Sequence, residues 1–231
     1  MLENEVIDAV TLGDGTEFVL ARRADDWVVR AGGMLLMSSR MHDSEEELAA
    51  LALARVPQPR SVLVGGLGLG YTLRAVLDRT GQQARVTVAE LVPAVVEWNR
   101  THVGALAGNP LSDPRAQVVV EDVFDAIARA ERAFDVILLD VDNGPVGLSQ
   151  ARNQRLYGYR GVRSCLAALR PGGVLAVWSA GPNNRFERRL AEAGFKVEVL
   201  RPLARKGSRA RHVVFLAERR AAEADRASRD G

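Results

Sequence analysis

The sequence predicts an α/β fold built on a doubly wound, Rossmann-like sheet, mostly parallel with an antiparallel last strand. From residue 61 to residue 140, short apolar runs alternate with helical segments, and this βαβ repetition is typical of a parallel sheet. The first run breaks into a glycine-rich loop over residues 66–70, the position at which such sheets bind ligands. The last two apolar runs, 195–200 and 212–217, have no helix between them, so we expect them to pair antiparallel.

Residues 1–56 are predicted to form a small β-hairpin region and a first helix. The segments T-E-F-V-L-A, W-V-V-R-A and M-L-L-M-S have β-like composition and precede the glycine loop. The helix is expected to start with Asp43 or Ser44 as its N-cap, to carry acids in its first turn and to run to about Val56.

The Rossmann-like domain is assigned to residues 57–218. Its predicted elements are, in order, strand 61–65, helix 70–79, strand 85–90, helix 93–103, strand 116–120, helix 123–131, strand 134–140, helix 153–169, a strand over V-L-A-V-W-S, helix 183–193 and the two final strands. Glycines at 172, 173 and 194 act as stop signals for the two late helices. Residues 219–231 are charged and lack apolar periodicity, so a flexible tail is expected.

The composition fits one sizeable apolar core with a small appendage. The chain has 231 residues, 47% of them hydrophobic, and a net charge of +2 from 31 basic and 29 acidic side chains. This mixture is not the concentrated basic surface of a nucleic-acid-binding protein. The single Cys165, with no leader-like or membrane-length apolar run, predicts a cytoplasmic protein with no membrane and no nucleic-acid partner. The three histidines lack ligand spacing, so no metal is predicted.

The glycine loop carries the strongest functional signal. Gly66, Gly68 and Gly70 allow a tight turn and a close approach of the backbone to a ligand. A dinucleotide fingerprint would place its third glycine at position 71, where this chain has Tyr71, and this disfavours NAD. Glu90 ends the next strand and can accept hydrogen bonds from ribose hydroxyls. A glycine loop followed by such an acid is typical of the first part of S-adenosylmethionine-dependent transferases. The alternative is a glycine-rich turn that serves packing alone.

Four motifs then follow one another at ordered spacing. The glycine loop continues as G-L-G-L-G-Y-T-L-R over residues 66–74, and Glu90 is followed by L-V-P-A-V-V-E. The run D-P-R-A-Q-V-V-V leads into Glu121-Asp122, and residues 140–145 read D-V-D-N-G-P. These motifs resemble the G-G-G-D-G-G with T-L-R, I-D-P-x-V-V-E, G-D-A and D-x-x-D-P motifs of the spermidine synthase-like branch, the polyamine aminopropyltransferases, of the class I S-adenosylmethionine-dependent methyltransferase superfamily.

The resemblance implies an enzyme of the transferase class that binds S-adenosylmethionine or its decarboxylated form. The residues it implies for this ligand are Gly66, Gly68, Gly70, Glu90 and Asp122. Of these, Asp122 would bond the adenine amino group. The implied acceptor is a small molecule, with amines among the candidates, and because the family tends to form dimers we expect a homodimer.

Asp140 and Asp142 are the predicted catalytic residues, and Asn143 and Tyr157 are predicted to contact the substrate. A carboxylate at the carboxyl end of a strand beside the glycine loop can accept a proton from a nucleophilic amine and attract its cationic form. Each residue also has a structural alternative. Asp140 can cap the start of its loop, Asp142 and Asn143 suit a turn, Tyr157 can pack on a helix face, and Asp122 can cap a helix.

The chain departs from the family pattern at several acidic or polar positions. Leu69 stands where the glycine motif has Asp, and Asn143 stands at the second Asp of the D-x-x-D loop unless Asp142 replaces it. Residues 45–48, E-E-E-L, replace the family's Tyr-His-Glu-Met. Because desolvated amines need paired carboxylates, the sequence favours methyl transfer to an unknown small acceptor. The alternatives are aminopropyl transfer to a diamine, as in spermidine synthases, and a non-catalytic protein that binds adenosyl ligands or serves assembly.

Overall fold

Two sheets connected by a helix make up the fold. The structure is a computed structural model and describes residues 5–140, 155–203 and 211–221. The N-terminal sheet is antiparallel, in the order β1-β2-β3-β4. Its strands are β1 (Glu5–Thr11), β2 (Glu17–Arg23), β3 (Asp26–Ala31) and β4 (Met34–Ser38).

The N-terminal sheet has one strand more than the sequence predicted. Strand β1 was missed because the pairing of β1 with β2 shifts register between Val6 and Asp8, and such a bulge breaks the alternation of apolar residues. Ile7 and Val10, which pack against the core, are consequently three positions apart. The predicted hairpin region is therefore a complete four-stranded sheet.

The second sheet has seven strands in the order β10-β11-β9-β8-β5-β6-β7. Its elements and the helix that precedes them are α1 (Asp43–Leu53), β5 (Ser61–Gly65), α2 (Tyr71–Arg79), β6 (Arg85–Glu90), α3 (Pro93–Thr101), β7 (Ala116–Val120), α4 (Val123–Ala128), β8 (Phe134–Leu139), α5 (Tyr159–Ala168), β9 (Leu169–Ser179), α6 (Asn184–Glu192), β10 (Phe195–Leu200) and β11 (Val213–Arg219). Strands β5 to β9 pair in parallel, whereas β11 is antiparallel to both β9 and β10. The predicted fold class is confirmed.

Both faces of the large sheet are buried, as the apolar composition of its strands requires. On β5, Val62 and Val64 belong to one apolar cluster and Leu63 belongs to the other. The first cluster includes residues of α1, α2, α3 and the N-terminal sheet. The second includes residues of α4, α5 and α6. The sheet is thus the middle layer of the molecule, and its carboxyl edge is left to form a site.

Several predicted boundaries were wrong by a few residues. His42, not Asp43 or Ser44, precedes α1 as its N-cap and makes no side-chain capping bond, and α1 ends at Leu53 because the prolines at 57 and 59 disfavour helix just before them. The long helix predicted over 153–169 is interrupted at Gly158, whose backbone is extended. No helix of the described residues is long and apolar enough to cross a membrane.

Arg115 fastens the start of β7 to the end of α2. Its guanidinium donates to Asp113 Oδ1 at 2.9 Å and Oδ2 at 2.7 Å, and to the Thr80 carbonyl at 2.8 Å. The two charged side chains are 11% and 15% exposed. Replacing Arg115 by Met is expected to lower the free energy of unfolding by about 2 kcal/mol at neutral pH. The change leaves the Asp113 carboxylate with the backbone N–H of residue 115 as its remaining donor, and it removes the donor to the Thr80 carbonyl. Urea denaturation measures this change.

The Arg115–Asp113 pair also predicts how the loss of stability in Arg115→Met depends on pH. The hydrogen bonds from Arg115 lower the pKa of Asp113 to about 2, so its stabilising contribution is lost as the pH falls from the unfolded-state value through that range. The matched control is Arg100→Met, since Arg100 is 59% exposed and lies 3.8 Å from Glu97; its expected effect is below about 0.5 kcal/mol. Equal losses in the two variants would contradict the structural role of Arg115.

Candidate active site

The carboxyl ends of four adjacent parallel strands bring the main predicted site residues to one edge of the large sheet. Strand β8 leads into Asp140, β5 into the glycine loop, β6 ends at Glu90, and β7 is followed by Asp122. In the order β8-β5-β6-β7, these ends span three inter-strand spacings, or about 14 Å. After β5 the chain adds β6 and β7 on one side of β5 and then β8 on the other side. The carboxyl end of β5 is therefore the topological switch point, where such sheets bind ligands.

The glycine loop has a backbone that other residues would strain. Gly66, Gly68 and Gly70 have φ values of +89°, +55° and +89°, a region that favours glycine. A Cβ on Gly68 would lie 3.1 Å from Met37 Sδ, and one on Gly70 would lie 3.0 Å from Pro110 Cγ. Glycine is therefore required here by backbone conformation and by close neighbours, as the sequence predicted.

Asn99, on α3, supports this loop and was not identified from the sequence. Its Nδ2 donates to the carbonyls of Gly68 at 2.8 Å and Val95 at 2.9 Å. The residue is 4% exposed, and its Oδ1 has no hydrogen-bond partner within the part of the chain that the structure describes. An Asn within a helical segment carries no sequence signal for this role, because its partner is a backbone group distant in the chain.

Glu90 is held rigidly at the end of β6. It is 8% exposed, and its two carboxylate oxygens accept hydrogen bonds from the backbone N–H groups of Leu67 at 2.9 Å and Val92 at 2.8 Å. Burial raises the pKa of Glu90, while these backbone donors act in the opposite direction. Each carboxylate oxygen has a second acceptor site, so Glu90 can also receive ligand hydroxyls.

Asp140 is fixed beside the glycine loop by two bonds. Thr72 Oγ1, on α2, donates to Asp140 Oδ2 at 2.9 Å, and the Asp140 backbone N–H donates to the Gly65 carbonyl at 3.1 Å. Burial raises the pKa of Asp140. A carboxylate in this setting lacks much of its hydration, which favours a proton or a cation nearby.

A second carboxylate, Glu45 in the first turn of α1, lies close enough to Asp140 to be affected by its charge. Desolvation and then the charge of Asp140 raise the pKa of Glu45 to about 7. Ser44 Oγ donates to Glu45 Oε2 at 2.7 Å. Within the described ranges, neither Glu45 nor Asp140 forms an ion pair with a basic side chain. The sequence analysis noted Glu45 only as a departure from the family pattern, because a row of three glutamates does not indicate which one faces the sheet.

Tyr71 and the residues around it extend this acidic edge. The Tyr71 ring stacks on His42 with centroids 4.2 Å apart, and its hydroxyl donates to the Ser39 carbonyl at 3.3 Å. Burial raises the pKa of Tyr71, and the charges of Glu45, Asp26 and Glu46 add to the effect. The region between the N-terminal sheet and α2 is therefore rich in negative charge. Among the described residues, no three His, Cys, Asp or Glu side chains are grouped as a metal site.

Asp122 caps α4, which is the structural alternative considered for it. Its Oδ1 accepts from the Phe124 backbone N–H at 2.8 Å, and its Oδ2 lies 3.3 Å from Arg155 Nη1. Arg155 is shared with Asp125, which it contacts at 2.7 Å. Capping uses one oxygen of Asp122, and the other, which contacts Arg155, has a further acceptor site at the sheet edge.

The remaining predicted residues have other positions. The Tyr157 ring is 3% exposed and packs edge-on against Phe186, with centroids 5.4 Å apart, so it fills the second apolar cluster and its contact with substrate stays a prediction. Leu69 is also buried in an apolar cluster. Asp142 and Asn143 lie outside the described residues.

Comparisons with known proteins fit this arrangement. Residues 41–188 match the family model of the spermine/spermidine synthase domain. The polyamine aminopropyltransferase of Aeropyrum pernix is 33% identical over 158 residues, which cover 64% of this chain and 49% of that protein. Polyamine aminopropyltransferase 2 of Pseudomonas aeruginosa is 34% identical over 136 residues, covering 57% of this chain and 37% of that one. The chain thus spans about half or less of the length of these relatives.

Solved structures show the same fold. Spermidine synthase from Thermotoga maritima superposes with a TM-score of 0.76 and 21% identity, over 94% of this chain and 74% of that one. A probable spermidine synthase from Corynebacterium glutamicum superposes with a TM-score of 0.66 and 16% identity. At these identities the likeness concerns the fold, including the N-terminal sheet, since 94% of the chain is covered in both cases.

Proposed function

The chain belongs to the spermine/spermidine synthase domain family, and from this we propose that it transfers the aminopropyl group of decarboxylated S-adenosylmethionine to a small amine. This was the alternative in the sequence analysis. Methyl transfer, which the sequence favoured, is not supported by the comparisons, because the matched relatives are named polyamine aminopropyltransferases.

One observation carries the proposal: Asp140 is fixed beside the glycine loop by Thr72, Glu45 of α1 lies close enough to be affected by its charge, and neither carboxylate has a basic partner among the described residues. Desolvated ammonium groups need such carboxylates, and a donor that kept its own carboxylate would be repelled by them. Leu69 stands where the family's glycine motif has an acid, and Glu45 supplies an acid from a different element, α1.

The rest of the edge suits the adenosine part of the donor. Glu90 would accept hydrogen bonds from the ribose hydroxyls, and Asp122 Oδ2 would accept one from the adenine amino group. The backbone of residues 66–70 would lie beneath the ligand, since its three glycines have no side chain and Leu67 and Leu69 are buried in the first apolar cluster. The strand order then directs the reactive end of the ligand from β7 toward β8, where Asp140 lies.

Asp140 and Glu45 would act on the acceptor. They hold its ammonium group and accept the proton that must leave before the nitrogen lone pair can react. The nitrogen then forms a bond to the carbon next to the sulfonium as the carbon–sulfur bond breaks, and methylthioadenosine leaves with that electron pair. Because the sulfonium is already activated, positioning and desolvation supply most of the rate.

Product analysis distinguishes the candidate functions. With decarboxylated S-adenosylmethionine and a short diamine, mass spectrometry is expected to show methylthioadenosine and an amine that has gained C3H7N. Methyl transfer would instead require S-adenosylmethionine and would yield S-adenosylhomocysteine and an acceptor that has gained CH2, which would overturn the proposal.

Calorimetry provides the binding control. We expect decarboxylated S-adenosylmethionine to bind more tightly than the carboxylated form, with methylthioadenosine as the reference that has no charged tail. Binding without turnover of any amine tested would support the non-catalytic alternative, and the absence of binding by all three ligands would contradict an adenosyl site altogether.

A further inference from the structure

We propose that Asn99 is a positioning residue for the adenosyl ligand: by holding the carbonyl of Gly68, it keeps the glycine loop in the backbone conformation on which the ligand would lie. This role rests on the proposed function, because that function supplies the ligand. The contacts that hold the loop are nevertheless a property of the ligand-free protein. Asn99 acts from α3, outside the strand ends that form the edge.

The middle of the glycine loop needs a support that its beginning already has. The first two residues of the loop are held by β6, since the Gly66 N–H donates to the Ala89 carbonyl at 2.9 Å and the Leu67 N–H donates to Glu90 at 2.9 Å. Gly68 follows with a φ of +55°. Glycine has more backbone freedom to lose than any other residue, so this part of the loop is the first to change conformation without an external contact.

The Asn99 amide provides that contact in a fixed orientation. Its Nδ2 donates to the carbonyl of Val95, one turn earlier on α3, at 2.9 Å, and to the carbonyl of Gly68 at 2.8 Å. Both amide hydrogens are therefore used. The bond within the helix fixes the direction of the second hydrogen, and with Asn99 only 4% exposed little water can replace either bond.

The other edge of the amide faces Gly70. Asn99 Oδ1 would lie 3.1 Å from a Cβ on Gly70, and no donor to this oxygen is found in residues 5–140, 155–203 and 211–221. A buried acceptor without a donor destabilises a fold, and local costs of this kind occur at functional sites. The orientation of the amide thus serves the bond to Gly68 at the expense of its own oxygen.

Asn99 and Glu90 hold consecutive residues of the loop. Glu90 bonds the N–H of Leu67, and Asn99 bonds the carbonyl of Gly68. Glu90 is also the proposed acceptor for the ribose hydroxyls, so a displacement of the loop moves the ligand relative to the acid that binds it. A loop held in place before binding removes an ordering cost from the affinity, and small displacements weaken hydrogen bonds steeply.

The first test is calorimetric titration with methylthioadenosine. Asn99→Leu replaces the amide by an apolar side chain of comparable shape, and Asn99→Asp keeps two terminal heavy atoms but loses both amide hydrogens. Each variant is expected to bind about tenfold more weakly than the wild type. Asn184→Asp, the same change at an exposed position in the first turn of α6, is the control and should stay within about threefold. Wild-type affinity in both Asn99 variants would overturn the proposal.

The second test is amide hydrogen exchange in the ligand-free protein. The Gly70 N–H donates to the Leu67 carbonyl at 2.9 Å within the loop, whereas the Gly66 N–H is bonded to β6. In Asn99→Leu the exchange of the Gly70 N–H is expected to accelerate about tenfold, and that of the Gly66 N–H by less than about threefold. Equal acceleration at both glycines would indicate a general loss of stability and would contradict a specific role for Asn99.

The two tests separate this inference from the proposed function. If the wild type binds no methylthioadenosine, the proposed function fails and the positioning of that ligand fails with it, while the Gly70 exchange still shows whether Asn99 holds the loop. If the wild type binds and both Asn99 variants bind equally well, aminopropyl transfer stands and the role of Asn99 is overturned. A merely structural Asn99 would lower the urea midpoint and leave the affinity of the folded protein unchanged, and circular dichroism confirms folding beforehand.

Discussion

Asp140→Asn is expected to lower kcat/KM for aminopropyl transfer by about 10²- to 10⁴-fold, the usual contribution of a positioned general base. The substitution keeps the size of the side chain, and its amide oxygen can still accept the 2.9 Å bond from Thr72. The proton that leaves the substrate amine then has no base at this position. One of the two negative charges proposed to hold the ammonium group is also removed. Steady-state kinetics with decarboxylated S-adenosylmethionine and a diamine measure the loss.

Two controls show whether this loss of kcat/KM arises at the reacting groups and not from weaker adenosine binding or a general effect of the substitution. Methylthioadenosine should bind Asp140→Asn within about threefold of the wild type, since the substitution lies at the opposite end of the site from Asp122. Asp78→Asn makes the same change on α2, where Asp78 is 56% exposed and paired with Arg74, and should leave the kinetics unchanged. Full activity in Asp140→Asn would show that Asp140 only caps its loop.

The fold could be predicted because its signals are local. Apolar runs of five or six residues, ended by glycine or proline and alternating with helical segments, identify a parallel sheet without any long-range information. Strand β1 was missed where the local pattern fails, at the bulge between Val6 and Asp8. The break at Gly158 was missed because a single glycine inside a helical segment is usually tolerated.

The site could be predicted only as far as topology determines it. The carboxyl ends of parallel strands meet at one edge, so Glu90, Asp122 and Asp140 could be placed together from their positions after strands. Glu45 and Asn99 lie on helices, where the residue that faces the site depends on how the helix rotates as it packs. That rotation is set by tertiary contacts, which a single sequence does not contain.

The sequence favoured methyl transfer for the same reason: it does not show which helix residues face the site. That preference came from counting acids at the family's own positions, and Leu69 occupies one of them in the apolar cluster. The binding of a cation depends on the charge around it and not on the position in the chain that supplies it. Glu45 can provide that charge from α1, where burial and then the charge of Asp140 raise its pKa to about 7.

Glu90→Gln is expected to weaken the binding of methylthioadenosine by about 100- to 1000-fold, because hydrogen bonds to a charged acceptor contribute about 1.5–3 kcal/mol each and the ribose offers two hydroxyls. Calorimetry with this ligand isolates the effect, since methylthioadenosine has no aminopropyl group to contact Glu45 or Asp140. Glu121→Gln is the control; this acid follows β7 and pairs with Arg129, and its substitution should change the affinity by less than about threefold.

Gln is preferred to Ala at this position because of the backbone that Glu90 supports. The N–H groups of Leu67 and Val92 both donate to its carboxylate, and Glu90→Ala would leave both unpaired in a buried site, at a cost of about 1–3 kcal/mol each. Gln retains one of the two acceptors, so the glycine loop keeps part of its support. Unchanged binding by folded Glu90→Gln would contradict the ribose site. Loss of binding there, with binding retained in Asp140→Asn, would place recognition of the adenosine at β6 and chemistry at β8, two strands apart on the same edge.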